Sequence, residues 1–595
     1  MRILLRFFAD LSRSLAASLL LLSAGAAHAQ AAKPTVHYWV FLRDKAGMRL
    51  QPATYFAPQA QARRQRQHLP AADSTDFPVR PDYVRRVQNL ADTVTYVSRW
   101  FNAVACQATP AQAAALRQLS GVQAVVPRTT IDLAPASHAE TVASTEKELT
   151  TADRQLARRQ TASLGAAAFK QAGLAGRGLR IAIFDVGFLG VDRHLAFQHL
   201  MRDKRVVATH NFVREHTSVY ASGRHGTEVL SCIAGLLPDG TPLGLAPQAE
   251  FLLARTERLY RELYVEEEAW LAAVEWADRN GADIINSSLG YTNRRYFPEQ
   301  MNGRTSLVAR AAELAARKGI LVVNAAGNDG DDDWHTIGTP ADGDSVLAVG
   351  GLDPDTYLHI DFSSYGPAAG RRLKPNVSAF GTVLAVAPGG GYVRTQGTSF
   401  SSPLVAGFAA CVWQQNRQLP VMELFAKVQE SATLYPYYDY AHGYGTPQAS
   451  FFVAKPGSSV PAAAPSFDLV RQDSLLVVII RPTAAFVPAH TLPLYADSVV
   501  AVTPDNLSGN VPAVGREEPI GTPDAKTPTD DSSTVPLTPP NYLYWHLANK
   551  QGVLRSYEVR DVTQRAVLRI PLRLLQPGDL VRVHYRGYTQ SYLQP

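Results

Sequence analysis

The chain has 595 residues, 46% of them hydrophobic and 18% charged, so it is long and apolar enough to bury sizeable cores. Its formal net charge of +6, spread over that length, builds no concentrated basic patch and argues against nucleic acid as a partner. The three cysteines, Cys106, Cys232 and Cys411, fall in different predicted elements, which excludes a disulfide framework and leaves stability to apolar burial.

At the N-terminus Arg2, Arg6 and Arg13 precede an apolar run from Leu15 to Ala27, and Ala27-His28-Ala29 forms an Ala-x-Ala cleavage site before Gln30. The run is shorter than the roughly 20 apolar residues a membrane span needs. Residues 1–29 are therefore expected to be a removed signal peptide that exports the chain, and no later segment is apolar enough to span a bilayer. Residues 30–150 contain strand-like Tyr38–Leu42 and Val94–Val97, a helical Pro110 to Leu119 capped by Thr109, and strand-like Val122–Val126. That alternation predicts a small α+β module. The polar stretch from Ser137 to Gln160 follows, with a dibasic Arg158-Arg159.

Residues 151–455 alternate predicted strands at 180–184, 283–288, 319–325, 345–350 and 383–387 with helical patterns at 226–236, 266–280, 304–318 and 399–415. The alternation predicts an α/β domain, a doubly wound, mostly parallel sheet with helices on both faces and sites at the carboxyl ends of its strands. The strand Arg180–Phe184 runs into Asp185-Val186-Gly187, and Arg224-His225-Gly226-Thr227-Glu228 opens an apolar helix. Gly397-Thr398-Ser399-Phe400-Ser401-Ser402-Pro403 opens another, whose Val405, Ala406, Phe408, Ala409, Val412 and Trp413 repeat at helical spacing. Pro403 is read as belonging to that helix's first turn, where a missing N–H costs nothing. Taken singly, each of these residues suits a turn or a helix cap. A serine hydroxyl becomes a nucleophile only with a base beside it, so the three gain meaning together.

Asp185-Val-Gly, His225-Gly-Thr and Gly-Thr-Ser399-x-x-x-Pro, in that order, resemble the subtilisin-like serine peptidases. Asn324-Ala325-Ala326-Gly327-Asn328-Asp329 resembles that family's oxyanion segment, and Asn286-Ser287-Ser288-Leu289-Gly290 its substrate-binding strand. Phe362–Pro367, Lys374–Val377 and His442–Gly445 extend the likeness over about residues 150–455. The resemblance implies a subtilisin-like fold and a serine endopeptidase acting on proteins or peptides. Asp185, His225 and Ser399 would form its triad and Asn328 would donate to the oxyanion. Ser288, Leu289 and Gly290 would pair with an extended substrate. Ala325, Ala326 and Gly327 would line an open primary pocket for apolar side chains. Residues 30–150 would be a propeptide that inhibits the enzyme intramolecularly until it is removed. Two positions depart from the family pattern: Val186 stands where a hydroxyl residue is frequent, so Asp185 must find other donors, and Phe400 stands where Met is common. A subtilase-fold binding module without turnover and a peptide-ligating subtilase are the alternatives.

Asp329, Asp331, Asp332 and Asp333 are expected to form a solvated acidic turn; calcium is a possible ligand there, but no metal or cofactor is assigned. Residues 456–541 read as a Pro/Ala/Ser linker, a strand-like run from Ser474 to Pro482 and a Pro/Thr/Asp-rich stretch from Thr503. Residues 542–595, with Ala566–Ile570 and Leu580–Tyr585 around Gln576-Pro577-Gly578-Asp579, read as a small β domain. It resembles the C-terminal sorting domains of the type IX export route in Bacteroidetes, with a structural or carbohydrate-binding module as the alternative.

Overall fold

A computed structural model describes residues 35–128, 149–258, 265–292, 295–453, 463–481, 542–562 and 566–595. The expected signal peptide, the first half of the polar stretch from Ser137 to Gln160, most of the linker after 455 and the Pro/Thr/Asp-rich stretch lie outside the described residues. The chain forms two compact units, one of residues 1–48 and 77–130, the other of residues 49–76 and 131–595.

The first unit begins with β1 (Val36–Leu42). The chain then leaves it for α1 (Pro58–Arg66), which belongs to the second unit, and returns at α2 (Pro81–Gln88). β2 (Thr93–Ser98), β3 (Ala103–Ala108), α3 (Pro110–Arg117) and β4 (Val122–Arg128) complete the first unit, with sheet order β2-β3-β1-β4. Tyr38, Val40 and Leu42 alternate into its core against Val104, Cys106, Ala113 and Leu116. Thr109 caps α3 as expected: its Oγ1 accepts the Gln112 N–H at 3.3 Å while Gln112 Oε1 accepts the Thr109 N–H at 2.6 Å, an arrangement contributing about 1 kcal/mol.

The second unit is built on a seven-stranded parallel sheet of β5 (Arg180–Asp185), β6 (Val206–Asn211), β7 (Glu250–Arg255), β8 (Ile284–Ser287), β9 (Leu321–Ala325), β10 (Val346–Leu352) and β11 (Val377–Phe380). Its order is β11-β10-β9-β8-β5-β7-β6. β5, β8, β9, β10 and β11 are buried at every position, which requires cover on both faces. The cover comes from two helix pairs, α4 (His225–Ala234) with α7 (Thr398–Gln415), and α5 (Val265–Arg279) with α6 (Leu307–Arg317). The strand order reverses between β5 and β8, which opens a crevice at their carboxyl ends.

Within the catalytic region the structure departs from the sequence expectation at two places. The strand expected at 383–387 is β12 (Thr382–Val386), which pairs antiparallel with β13 (Tyr392–Gln396) outside the main sheet. The edge position beside β10 is already taken by β11, and Gly381 turns the chain away while its N–H donates to Leu352 O at 2.7 Å. Pro403 is not in a first turn either, because α7 starts at Thr398 and leaves Pro403 inside the helix.

At the C-terminal end β14 (Phe467–Gln472) and β15 (Leu475–Ile480) pair with β18 (Ala566–Pro571). The run after Ser474, read from sequence as lying ahead of the last domain, is thus part of that domain's sheet. A second sheet runs β17 (Leu554–Asp561), β16 (Tyr542–Ala548), β19 (Leu580–Tyr585), β20 (Tyr588–Leu593). Leu543, Trp545 and Leu547 on one face of β16 join a core with Leu476, Val478 and Ile570. Tyr542 and Tyr544 on the other face pack on Leu434 and Tyr437 of the α/β region.

Candidate active site

Asp185 is the last residue of β5 and wholly buried, and His225 is the first residue of α4. The two meet because α4 opens on His225-Gly226: a Cβ on Gly226 would lie 2.3 Å from Gly187 O and 3.0 Å from Asp185 Cβ. His225 Nδ1 sits 2.9 Å from Asp185 Oδ1 and 3.1 Å from Oδ2. The donor that Val186 cannot offer from its side chain comes from its backbone, whose N–H donates to Asp185 Oδ1 at 2.8 Å. Burial alone would lower the pKa of His225, but the charge and hydrogen bond of Asp185 outweigh it and hold the imidazole above its usual 6.5.

Ser399 is the second residue of α7, 5% exposed, and is not its cap. Gly397 holds the cap position with φ +145°, and the first helical N–H, that of Thr398, donates to Asn328 Oδ1 at 2.8 Å. Thr398 Oγ1 lies 2.9 Å from the same oxygen. Two donors on Oδ1 turn the amide nitrogen of Asn328 the other way, 3.4 Å from where a Cβ on Gly397 would stand. Asn328 itself is exposed at the end of the turn that follows β9.

Pro403 leaves the Ser399 carbonyl without the N–H that an uninterrupted helix would supply. Ser288 fills the gap, its hydroxyl donating to Ser399 O at 2.7 Å. The Ser288 hydroxyl in turn accepts from Asn286 Nδ2 at 3.0 Å, and Asn286 Oδ1 accepts from Ser402 at 2.8 Å. Phe400 is buried and lays its ring 5.4 Å from that of His225, tilted by 51°.

Two family models match the chain: the subtilase family over residues 176–445 and the peptidase S8 propeptide domain of Bacteroidota over residues 37–147. The chain is 32% identical over 262 residues to subtilisin DY of Bacillus licheniformis, covering 44% of this chain and 86% of that protein. It is 31% identical over 261 residues to subtilisin Savinase of Lederbergia lenta, with the same shares of 44% and 86%. To the thermostable alkaline protease of Halalkalibacterium halodurans it is 30% identical over 262 residues, covering 44% of this chain and 64% of that one. This chain belongs to the subtilase family.

It is accordingly a subtilisin-like serine peptidase, a hydrolase, preceded by a propeptide domain. Among the other sequence-named positions of this subtilase, Gly290 is exposed with open space around it, and Leu289 is half-buried with its carbonyl taken by Asn324 Nδ2 at 2.9 Å. Ala325 closes β9, while Ala326 is buried in a cluster with Ile337, Ala341 and Ala348. Gly327 has φ +126°, and its N–H faces Thr398 Oγ1 at 3.2 Å. Asp331, Asp332 and Asp333 are exposed, and Asp332 accepts the Trp334 N–H at 2.7 Å. Among the described residues no group of three or more His, Cys, Asp or Glu side chains is gathered to hold a metal. No helix among them is long and apolar enough to cross a membrane.

Sequence reasoning missed the supports: Thr398 on Asn328 and the Ser288 hydroxyl on Ser399. A signal existed for the second, since a proline four residues after Ser399 leaves that carbonyl in need of a donor.

Proposed function

We propose that this subtilase is an exported endopeptidase in which Ser399, His225 and Asp185 act as a triad and Asn328 as an oxyanion donor. Ser399 Oγ attacks the scissile carbonyl while His225 takes its proton. The imidazolium, stabilised by Asp185, then delivers that proton to the leaving amine, and water repeats the cycle on the acyl-enzyme. Asn328 Nδ2 and the Ser399 N–H, the latter at the positive end of α7, stabilise the charge that develops on the carbonyl oxygen. Ser288-Leu289-Gly290 pairs with the substrate backbone, and Ala325-Ala326-Gly327 borders the primary pocket. Residues 1–29 direct export, and the propeptide is cut away by the enzyme itself.

The observation that carries this reading is the convergence of a part-exposed His225 on the wholly buried Asp185 with a serine whose helix start is capped by Asn328 instead of by the serine. N-terminal sequencing of the mature protein from wild type and from Ser399→Ala tests it. Wild type is expected to lose its segment before about residue 160 and the variant to keep it. A fluorophosphonate probe should label Ser399 in processed wild type and nothing in the variant, and an unlabelled wild type would overturn the reading.

A further inference from the structure

The carboxyl ends of α5 and α6 carry a charged cluster that the triad chemistry does not use. Gly281 and Gly319 follow these helices with φ of +79° and +81°, and the segment around α1 lies against both. A Cβ on Gly281 would stand 2.6 Å from Gln59 Cβ and 2.7 Å from the Ala60 nitrogen, and one on Gly319 would stand 2.7 Å from Gln67 Cγ. Only glycine admits so close an approach.

Into the space between the helix ends goes Arg63, 0% exposed. Its Nε donates to Lys318 O at 3.2 Å, and its other nitrogens donate to Ala282 O and to the Asp278 carboxylate. Arg64 donates to Asp278 Oδ2 at 3.0 Å and to Asp76 at 3.1 Å, and its guanidinium lies 4.2 Å over the ring of Phe56. Asp278 thus bridges two guanidinium groups. Arg66 reaches Asp283 at 2.9 Å, and Lys318 closes the network on Asp73 at 3.0 Å and Asp76 at 2.8 Å. Gln67 pins the end of the segment, donating to Leu419 O at 3.0 Å and accepting the Val421 N–H at 2.8 Å.

Backbone carbonyls at two helix ends and a carboxylate form a fixed array of acceptors, with the negative ends of both dipoles behind it. A planar guanidinium satisfies such an array with several directed N–H groups at once; a compact ammonium does not. The array also lies at the wrong edge of the sheet for a substrate. Ala282 and Asp283 precede β8, whereas Asp185 and Ser287 end their strands, so the length of β8 separates the two sites, about 13 Å.

We propose that the ends of α5 and α6 form an arginine-binding exosite for a di-arginine peptide segment. Arg63-Arg64 of residues 49–76 fills it within the precursor and continues to fill it in trans after processing. The inference rests on the reading of residues 30–150 as a removable propeptide, and it makes α1 an anchor separate from any part of that domain that reaches the cleft.

The test is to titrate processed enzyme with a synthetic peptide of residues 49–76, followed by fluorescence anisotropy. Saturable binding is expected, weakened about 100-fold or more when Arg63 and Arg64 are both replaced by lysine. Hydrolysis of a short chromogenic peptide should continue at saturation. Equal affinity for the lysine peptide, absent binding, or competitive inhibition would overturn the exosite. Asp278→Asn in the enzyme should weaken binding to a similar extent, and the peptide exchange on unaltered enzyme decides the matter if that variant does not fold. A Ser399→Ala precursor carrying a foreign protease site among residues 131–148 separates this failure from failure of the peptidase reading. Cut by that protease, it should retain its N-terminal fragment on gel filtration, and the Arg63→Lys/Arg64→Lys form should release it. Retention of both forms sinks the exosite, whereas the expected pattern in a chain that never processes itself would sink only the peptidase reading.

Discussion

Asp185 and His225 approach to 2.9 and 3.1 Å, while Asp439 and His442 approach to 3.0 Å at both carboxylate oxygens, so the two pairs are nearly the same chemical object. Their surroundings differ. The His225 side chain is 22% exposed at a strand-end crevice, with a serine-bearing helix start beside it. His442 is 6% exposed, and its Nε2 accepts the His359 N–H at 3.0 Å, so no hydroxyl can use it as a base. Asp439 also takes the Tyr437 hydroxyl at 2.9 Å and the backbone N–H groups of Ala441 and His442. The second pair therefore fastens the 434–445 loop, on which Tyr544, His546 and Arg582 of the C-terminal sheets rest. An aspartate–histidine pair becomes a catalytic element only through what the far nitrogen meets.

Mutation should separate the pairs most sharply. Ser399→Ala and His225→Ala are expected to lower kcat on the order of 10⁶-fold, the scale known for subtilisins, and Asp185→Asn about 10⁴-fold. His442→Ala should leave kcat within about threefold but cost about 1–3 kcal/mol of stability, because the buried Asp439 carboxylate would lose one of its hydrogen-bond donors. Steady-state kinetics and thermal melts on the same samples check both halves.

If Asn328 is the proposed oxyanion donor, Asn328→Leu should cost about 10²–10³ in kcat with little change in KM, since such a donor acts on charge present only in the transition state. A raised KM with unchanged kcat would assign Asn328 to substrate binding instead.

The pairs also part with pH. As the proposed base His225 must be neutral, and its pKa is raised, so kcat/KM should be lost as pH falls through a midpoint above 6.5. At the C-terminal joint, burial pulls His546 and His584 down to about 4. The unfolded chain binds protons there below 6.5 and the folded chain does not, so stability should drop as pH falls from about 6.5 to 4, by up to about 3 kcal/mol per histidine. Melting temperature against pH reads this out, and a flat profile would contradict it. The smallest expected effect is that of a chelator: melting temperature should not move, as the acidic turn at Asp331–Asp333 is solvated.

The sequence by itself determined the parallel sheet, the strand tip bearing Asp185, the helix starts bearing His225 and Ser399, and the capped α3, because each is written in periodicity and turn chemistry within a dozen residues. Hydrogen bonds between distant residues were not legible. The Ser288 hydroxyl reaches Ser399 across 111 positions, and Asn328 reaches Thr398 across 70. β6, β7 and β11 were not legible because a short run becomes a sheet strand only when neighbours offer it an edge. Residues 49–76 carry no local sign that they leave the propeptide fold, since the acceptors of Arg63 lie 215 to 255 positions away, at the ends of α5 and α6. The tertiary structure alone decided which carbonyls and carboxylates face each side chain, and with that whether a charge is solvent-exposed or buried and paired.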